Sequence, residues 1–221
     1  GKSMIQALIF DMDGTIVDNM WVHTAVWLEL LSEFGLNMSQ LEFQAATAGN
    51  TNGELLRKLI DPQMSEARVA EIAHEKETRY RERFRPHLQP VAGLELLLQQ
   101  AQQANVTLAV ATAANGPNIE YVLDGLDLRR YFATVVGADD VKRGKPEPDL
   151  FLLVAERLNL SPEHCLVFED SLAGLEAAHR AGMRSVAITT SHEAAEMMIH
   201  PTVRQAIPDF THFQLTDFIE G

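Results

Sequence analysis

The feature that most constrains this chain is a rhythm of short apolar runs separated by stretches of helical length. Strand-like runs occur at Ala7–Phe10, Leu108–Ala111, Thr134–Val136, Cys165–Phe168 and Ser185–Ile188. Between most of them lie amphipathic segments such as Leu94–Ala104, Asn118–Leu126, Pro148–Leu158 and Leu172–Ala181. Strands this short and this poorly alternating suit burial on both faces, which demands helices above and below a parallel sheet. The expected fold class is therefore α/β.

Residues from about Met20 to Arg85 break the rhythm. They are rich in Leu, Glu, Gln, Arg and Ala, and no strand-like run appears among them. Trp27, Leu28, Leu31 and Phe34 fit one helix face, Leu55, Leu56, Leu59 and Ile60 another, and Val69–Phe84 a third long segment. Pro86 and Pro90 punctuate the return to the alternating pattern. The economical reading is a core domain over 1–17 and 88–221 with a helical domain over 18–87 inserted after the first strand. Such an insertion beside the first strand can act as a lid.

Composition narrows the partners. Hydrophobic residues make up 46% of the 221-residue chain and charged residues 22%, an ordinary globular balance that argues against disorder. The net charge of −13 disfavours nucleic acid, whose phosphates are bound by basic surface. It leaves room for a small phosphorylated metabolite bound together with a divalent cation. Cys165 is the single cysteine, so an internal disulfide is impossible, and its apolar surroundings suggest a core residue. No stretch approaches the roughly 20 apolar residues of a membrane span, and no signal-peptide pattern precedes the first strand. Gly1–Ser3 read as an expression remnant ahead of Met4. A cytoplasmic monomer without membrane or nucleic-acid partners is the expectation.

The chemistry concentrates at strand ends. The run Ala7–Phe10 delivers Asp11 and Asp13, followed at once by Gly14 and Thr15. Asp-Gly is also a common turn signal. However, two carboxylates at the end of a buried strand sit where open α/β sheets place ligands. Their mutual repulsion is costly unless they share a cation or a proton. After the second run come Thr112, Ala113 and Asn115. A small hydroxyl at a strand end can cap a helix or donate to a phosphoryl oxygen, and Asn115-Gly116-Pro117 also reads as a turn. Lys145 stands in Gly-Lys-Pro, where Lys142 and Arg143 read as solvated neighbours. The fourth run ends in Glu169, Asp170 and Ser171, with Gly174 three residues on. Oxygen ligands of this kind suit Mg²⁺, although paired acids also favour a helix start.

These four motifs, in this order and over almost the whole chain, resemble the haloacid dehalogenase superfamily in its helical-cap subgroup. Within it, the chain is most similar to sugar-phosphate phosphatases and β-phosphoglucomutases. The resemblance implies a Rossmann-like three-layer core with a small inserted α-helical cap. It implies that Asp11 is the nucleophile that forms an aspartyl-phosphate and that Asp13 is the general acid–base, with a raised pKa. Thr112 and Lys145 would hold the transferring phosphoryl group, helped by the Ala113 N–H and the Asn115 amide. Mg²⁺ would sit on Asp11, the Asp13 backbone carbonyl and Asp170, with Glu169 a direct ligand or one shell out.

The cap bears on substrate choice. His23 matches a histidine that β-phosphoglucomutases carry near the first hinge. Asn52 falls where those mutases use an arginine to hold a second phosphate. An amide lacks the guanidinium's charge and fork, which tilts the reading from mutase to phosphatase. Lys76 would compensate in part unless it is a solvated surface residue. Lys58 does not match the Schiff-base lysine of the phosphonate hydrolases, and Asp13 argues against a dehalogenase. The resemblance thus implies a Mg²⁺-dependent phosphatase of a small phosphomonoester. A phosphosugar mutase and a catalytically silent binding module are the alternatives.

Overall fold

The computed structural model describes residues 4–220, so the remnant assigned to Gly1–Ser3 lies outside the described residues. The chain divides into two compact units, which part between Asp18 and Asn19 and between His87 and Leu88.

The larger unit carries a six-stranded sheet, paired throughout in parallel. Its strands are β1 (Ala7–Phe10), β2 (Thr107–Ala111), β3 (Thr134–Val136), β4 (Cys165–Glu169), β5 (Arg184–Ile188) and β6 (Val203–Ile207), in the order β3-β2-β1-β4-β5-β6. The order reverses between β1 and β4, so a crevice opens at the carboxyl ends of these two neighbours. Every residue of β1 and β4 is buried, because helices cover both faces.

On one face Ile9, Ala111, Val136 and Val167 pack with Leu150, Phe151 and Val154 of a helix over Asp149–Leu158. On the other, parallel register sets Phe10 beside Phe168. Their rings stack at 4.8 Å with 9° between planes, and Phe210 meets both edge-on at 5.8 and 5.4 Å. Two flat rings on adjacent strands can stack only when the register is held, so the aromatic pair reports and reinforces it.

The sixth strand is absent from the sequence reading. Val203-Arg-Gln-Ala-Ile207 mixes polar residues into the run, as an edge strand half open to solvent allows. The segment expected as a helix over 118–126 is instead a short α-turn, Gly116–Ile119, followed by a π-turn over Glu120–Asp124. A Cβ at Gly125 would lie 2.2 Å from the Tyr121 carbonyl oxygen, so only glycine closes that turn. Cys165 is buried, and desolvation pushes its thiol up to about 11, which leaves it inert at neutral pH.

The smaller unit carries four α-helices, α1 (Met20–Glu33), α2 (Gln40–Thr47), α3 (Asn52–Leu59) and α4 (Glu66–Phe84), and ends in a 3-10 turn over Arg85–His87. The sequence reading located three of these and left α2 unassigned. Ser39, Thr51 and Ser65 cap the last three, each side-chain oxygen accepting a backbone N–H three residues on. The interior centres on Tyr80, fully buried on α4, against which His23 of α1 stacks at 3.8 Å. Ion pairs such as Arg79–Glu33 and Arg83–Glu29 line the exposed side of α1 and α4; pairs of this kind contribute about 0.2–1 kcal/mol each.

Phe168 anchors the aromatic face at the centre of the sheet. Phe168→Ala is expected to destabilise the protein by about 3–5 kcal/mol, read as a shift of the urea midpoint with the far-ultraviolet spectrum preserved.

Candidate active site

Asp11 follows β1 directly, and its backbone N–H donates to the Phe168 carbonyl at 3.0 Å. The chain then turns: Gly14 adopts φ +81° and its N–H donates to Val17 O at 2.8 Å, while Asp13 forms an isolated bridge with Val17. A Cβ on Gly14 would lie 2.0 Å from Asp170 Oδ2, so glycine is required for space as well as conformation. Asp11 is 6% exposed, and Asp13 is half-buried beside it.

From β4 come Glu169 and Asp170, both almost fully buried. Ser171 caps the following helix, Leu172–Arg180, by accepting the Gly174 N–H at 2.9 Å. The same hydroxyl donates to Glu169 Oε1 at 2.9 Å. A Cβ at Gly174 would lie 1.9 Å from the Glu169 carboxyl carbon, so the helix start closes tightly over that side chain.

Lys145 joins the two strand ends. Its ammonium donates to Asp11 Oδ1 at 2.8 Å, Glu169 Oε2 at 2.7 Å and the Ala111 carbonyl at 3.2 Å. One cation thus touches the ends of β1, β2 and β4. Burial alone would make the ammonium easier to deprotonate, but the Asp11 and Glu169 charges outweigh it and hold the pKa above its ordinary value.

The carboxyls show the opposite strain. Desolvation, then the charge of Asp11, pushes Glu169 up to about 7 despite Lys145. Asp170 is raised strongly, by desolvation first and then by Asp11 and Glu169. Oxygens of Asp11, Glu169 and Asp170 all lie within 4.8 Å of one another. Fully ionised, three carboxylates against one ammonium leave two negative charges in excess in a buried space. That surplus, presented by hard oxygen donors, fits a divalent cation such as Mg²⁺.

Other candidates lie around this centre. Thr112 follows β2, is 1% exposed, and accepts the Ala114 N–H at 3.0 Å. Its own hydroxyl proton can still be donated. Ala113 and Asn115 are exposed further along this loop, and Asn115 opens the next helical turn without a side-chain cap bond.

His23 and Asn52 belong to the helical unit, where one network joins them. Lys76 Nζ lies 2.7 Å from His23 Nδ1 and donates to Glu77 Oε1 at 2.8 Å, and the Asn52 amide donates to the same oxygen at 3.3 Å. The alternative of Lys76 as a solvated surface residue is corrected here: it is 3% exposed and packs near the Trp27 and Tyr80 rings. Its place on a helix dense in Glu, Lys and Arg concealed this, because only α1 across from it makes that face an interior.

Two contacts to the centre escaped sequence reasoning. Just past β5, Ser191 Oγ donates to Asp170 Oδ2 at 2.8 Å and the Thr190 hydroxyl donates to the Gly14 carbonyl. The available signal was a fifth strand end followed by hydroxyl residues, Thr189-Thr190-Ser191.

With fold and centre in view, similarity to known proteins identifies the class. A model of the haloacid dehalogenase-like hydrolases matches residues 8–188, and the chain belongs to that family. A fructose-1-phosphate phosphatase of Escherichia coli (strain K12) is 36% identical over 181 residues, covering 81% of this chain and 94% of its own. A phosphorylated carbohydrates phosphatase of Thermotoga maritima is 31% identical over 185 residues, covering 82% and 84%. Among solved structures, a β-phosphoglucomutase from Clostridium difficile aligns with a TM-score of 0.82 at 26% identity, covering 96% of this chain and 94% of that one.

The raised Glu169 pKa carries a stability signature. The folded chain holds this proton up to about pH 7, whereas an unfolded glutamate releases it near its ordinary value of 4.5. The folded state therefore binds the proton more tightly, and the stability this contributes below the lower value is lost as pH rises through the higher one. In EDTA, the urea midpoint is expected to fall between about pH 4.5 and pH 7. Glu169→Gln, which cannot ionise, should flatten that fall.

Proposed function

We propose that this protein is a Mg²⁺-dependent phosphatase that releases phosphate from a small sugar phosphate through an aspartyl-phosphate on Asp11. That it is a phosphomonoester hydrolase follows from its family and from relatives named as phosphatases. The sugar is inferred from the same relatives, whose names specify fructose 1-phosphate and phosphorylated carbohydrates. The observation that carries the mechanism is Lys145 bonded to both Asp11 and Glu169 beside a third buried carboxylate, Asp170.

Asp11, Glu169 and Asp170, with the Asp13 backbone carbonyl, would hold the ion. Each Glu169 oxygen already accepts a bond, from Lys145 or from Ser171, so its share is the smallest of the three. Bound Mg²⁺ would neutralise charge on the transferring phosphoryl group. The Asp11 carboxylate attacks phosphorus as the bond to the leaving oxygen breaks, and Asp13 gives that oxygen its proton. Lys145 and the Thr112 hydroxyl hold phosphoryl oxygens during transfer. Asp13 then takes a proton from water, which attacks phosphorus and frees Asp11.

The helical unit favours hydrolysis over a mutase. A mutase must retain a second phosphate dianion, but the Asn52 amide is neutral and turned to Glu77. The Lys76 charge is buried and matched by the same carboxylate at 2.8 Å. Neither group offers the uncompensated positive charge that a dianion needs.

The test is a phosphate-release screen over sugar phosphates with Mg²⁺. Release should stop in EDTA and fall by on the order of 10³-fold or more in Asp11→Asn. Glucose 1-phosphate with a bisphosphate primer should yield inorganic phosphate; accumulation of glucose 6-phosphate would establish the mutase instead. Silence across the whole panel would refute a phosphatase.

A further inference from the structure

We infer that Ser191 is a positioning residue for the divalent ion, setting the orientation of Asp170. This rests on the metal reading above and adds a residue to it. Asp170 is 3% exposed, so the orientation of its carboxylate depends on the few groups that reach it. Ser191 supplies a hydroxyl to Oδ2 at 2.8 Å. A carboxylate oxygen keeps further lone pairs after accepting one bond, so this contact fixes the carboxylate without blocking it. Gly14 packs against the same oxygen, where a Cβ would not fit. Asp170 thus meets both a glycine of the β1 loop and a serine of the β5 loop.

The β5 loop is itself anchored. The Thr189 N–H donates to Ile207 O of β6 at 2.9 Å, and the Thr190 hydroxyl donates to the Gly14 carbonyl. The edge strand β6 therefore steadies the segment that presents Ser191. Ser191 is exposed at the residue level, so it fills no space in the core and its removal leaves the packing intact. Among the described residues, its side chain bonds to Asp170. Hydrogen-bond partners that orient a metal ligand typically contribute about 10- to 100-fold in affinity.

Calorimetric titration of the full chain with Mg²⁺ alone, after chelation, reads this directly. Ser191→Ala should weaken Mg²⁺ binding by about 10- to 100-fold, and Ser191→Thr, which keeps the hydroxyl, should restore it. A purely structural serine would lower the unfolding temperature in EDTA when replaced by alanine and leave the affinity alone. Parent-like affinity in Ser191→Ala would overturn the role of the serine. A parent protein that takes up no Mg²⁺ would instead overturn the metal reading, and this inference with it.

Discussion

The structure of the core turns on one buried ammonium. Lys145 meets Asp11 and Glu169 at 2.8 and 2.7 Å, with each of the three side chains less than a tenth exposed. None of these groups would be tolerated in the interior alone, because an unpaired buried charge costs several kcal/mol. Together they still leave a negative surplus once Asp170 is counted, and that surplus suits a doubly charged cation. The surrounding small residues follow from it. Gly14 and Gly174 leave room for Asp170 and Glu169, and Ser171 and Ser191 each satisfy one carboxylate oxygen.

The sheet makes that meeting possible. Asp11 and the Glu169–Asp170 pair are far apart in sequence, yet β1 and β4 are parallel neighbours in register, Phe10 opposite Phe168. The residues that follow each strand therefore emerge side by side at the reversal of strand order. The stacked Phe10 and Phe168 rings bury the register, and the carboxylates inherit their spacing from it. Position is set by hydrophobic packing, and charge is accommodated where packing places it.

Much of this core was legible in the chain because the signals are local. The five strands that the sequence revealed are apolar runs bounded by turn residues, and their ends lie within a residue of those observed. β6 was not legible, since an edge strand buries only part of its surface and tolerates Arg204 and Gln205. Ser191 was invisible for a related reason: a serine after a strand is common, and its partner lies on another strand's loop. The helical unit gave up its periodicity but not its interior. Lys76 looks like surface on α4, and only the helix packing that encloses it with His23, Glu77 and Tyr80 makes it a buried cation.

The sequence by itself determined the fold class and the order of elements. It also supplied the short list of side chains at strand ends, because apolar periodicity and strand-end chemistry are properties of a few consecutive residues. The tertiary structure decided which of those side chains share a charge, which carboxylate each serine holds, and where a lysine on a polar helix becomes buried. Those outcomes depend on the energy of bringing distant charges together in a dry space, and no stretch of consecutive residues contains that energy.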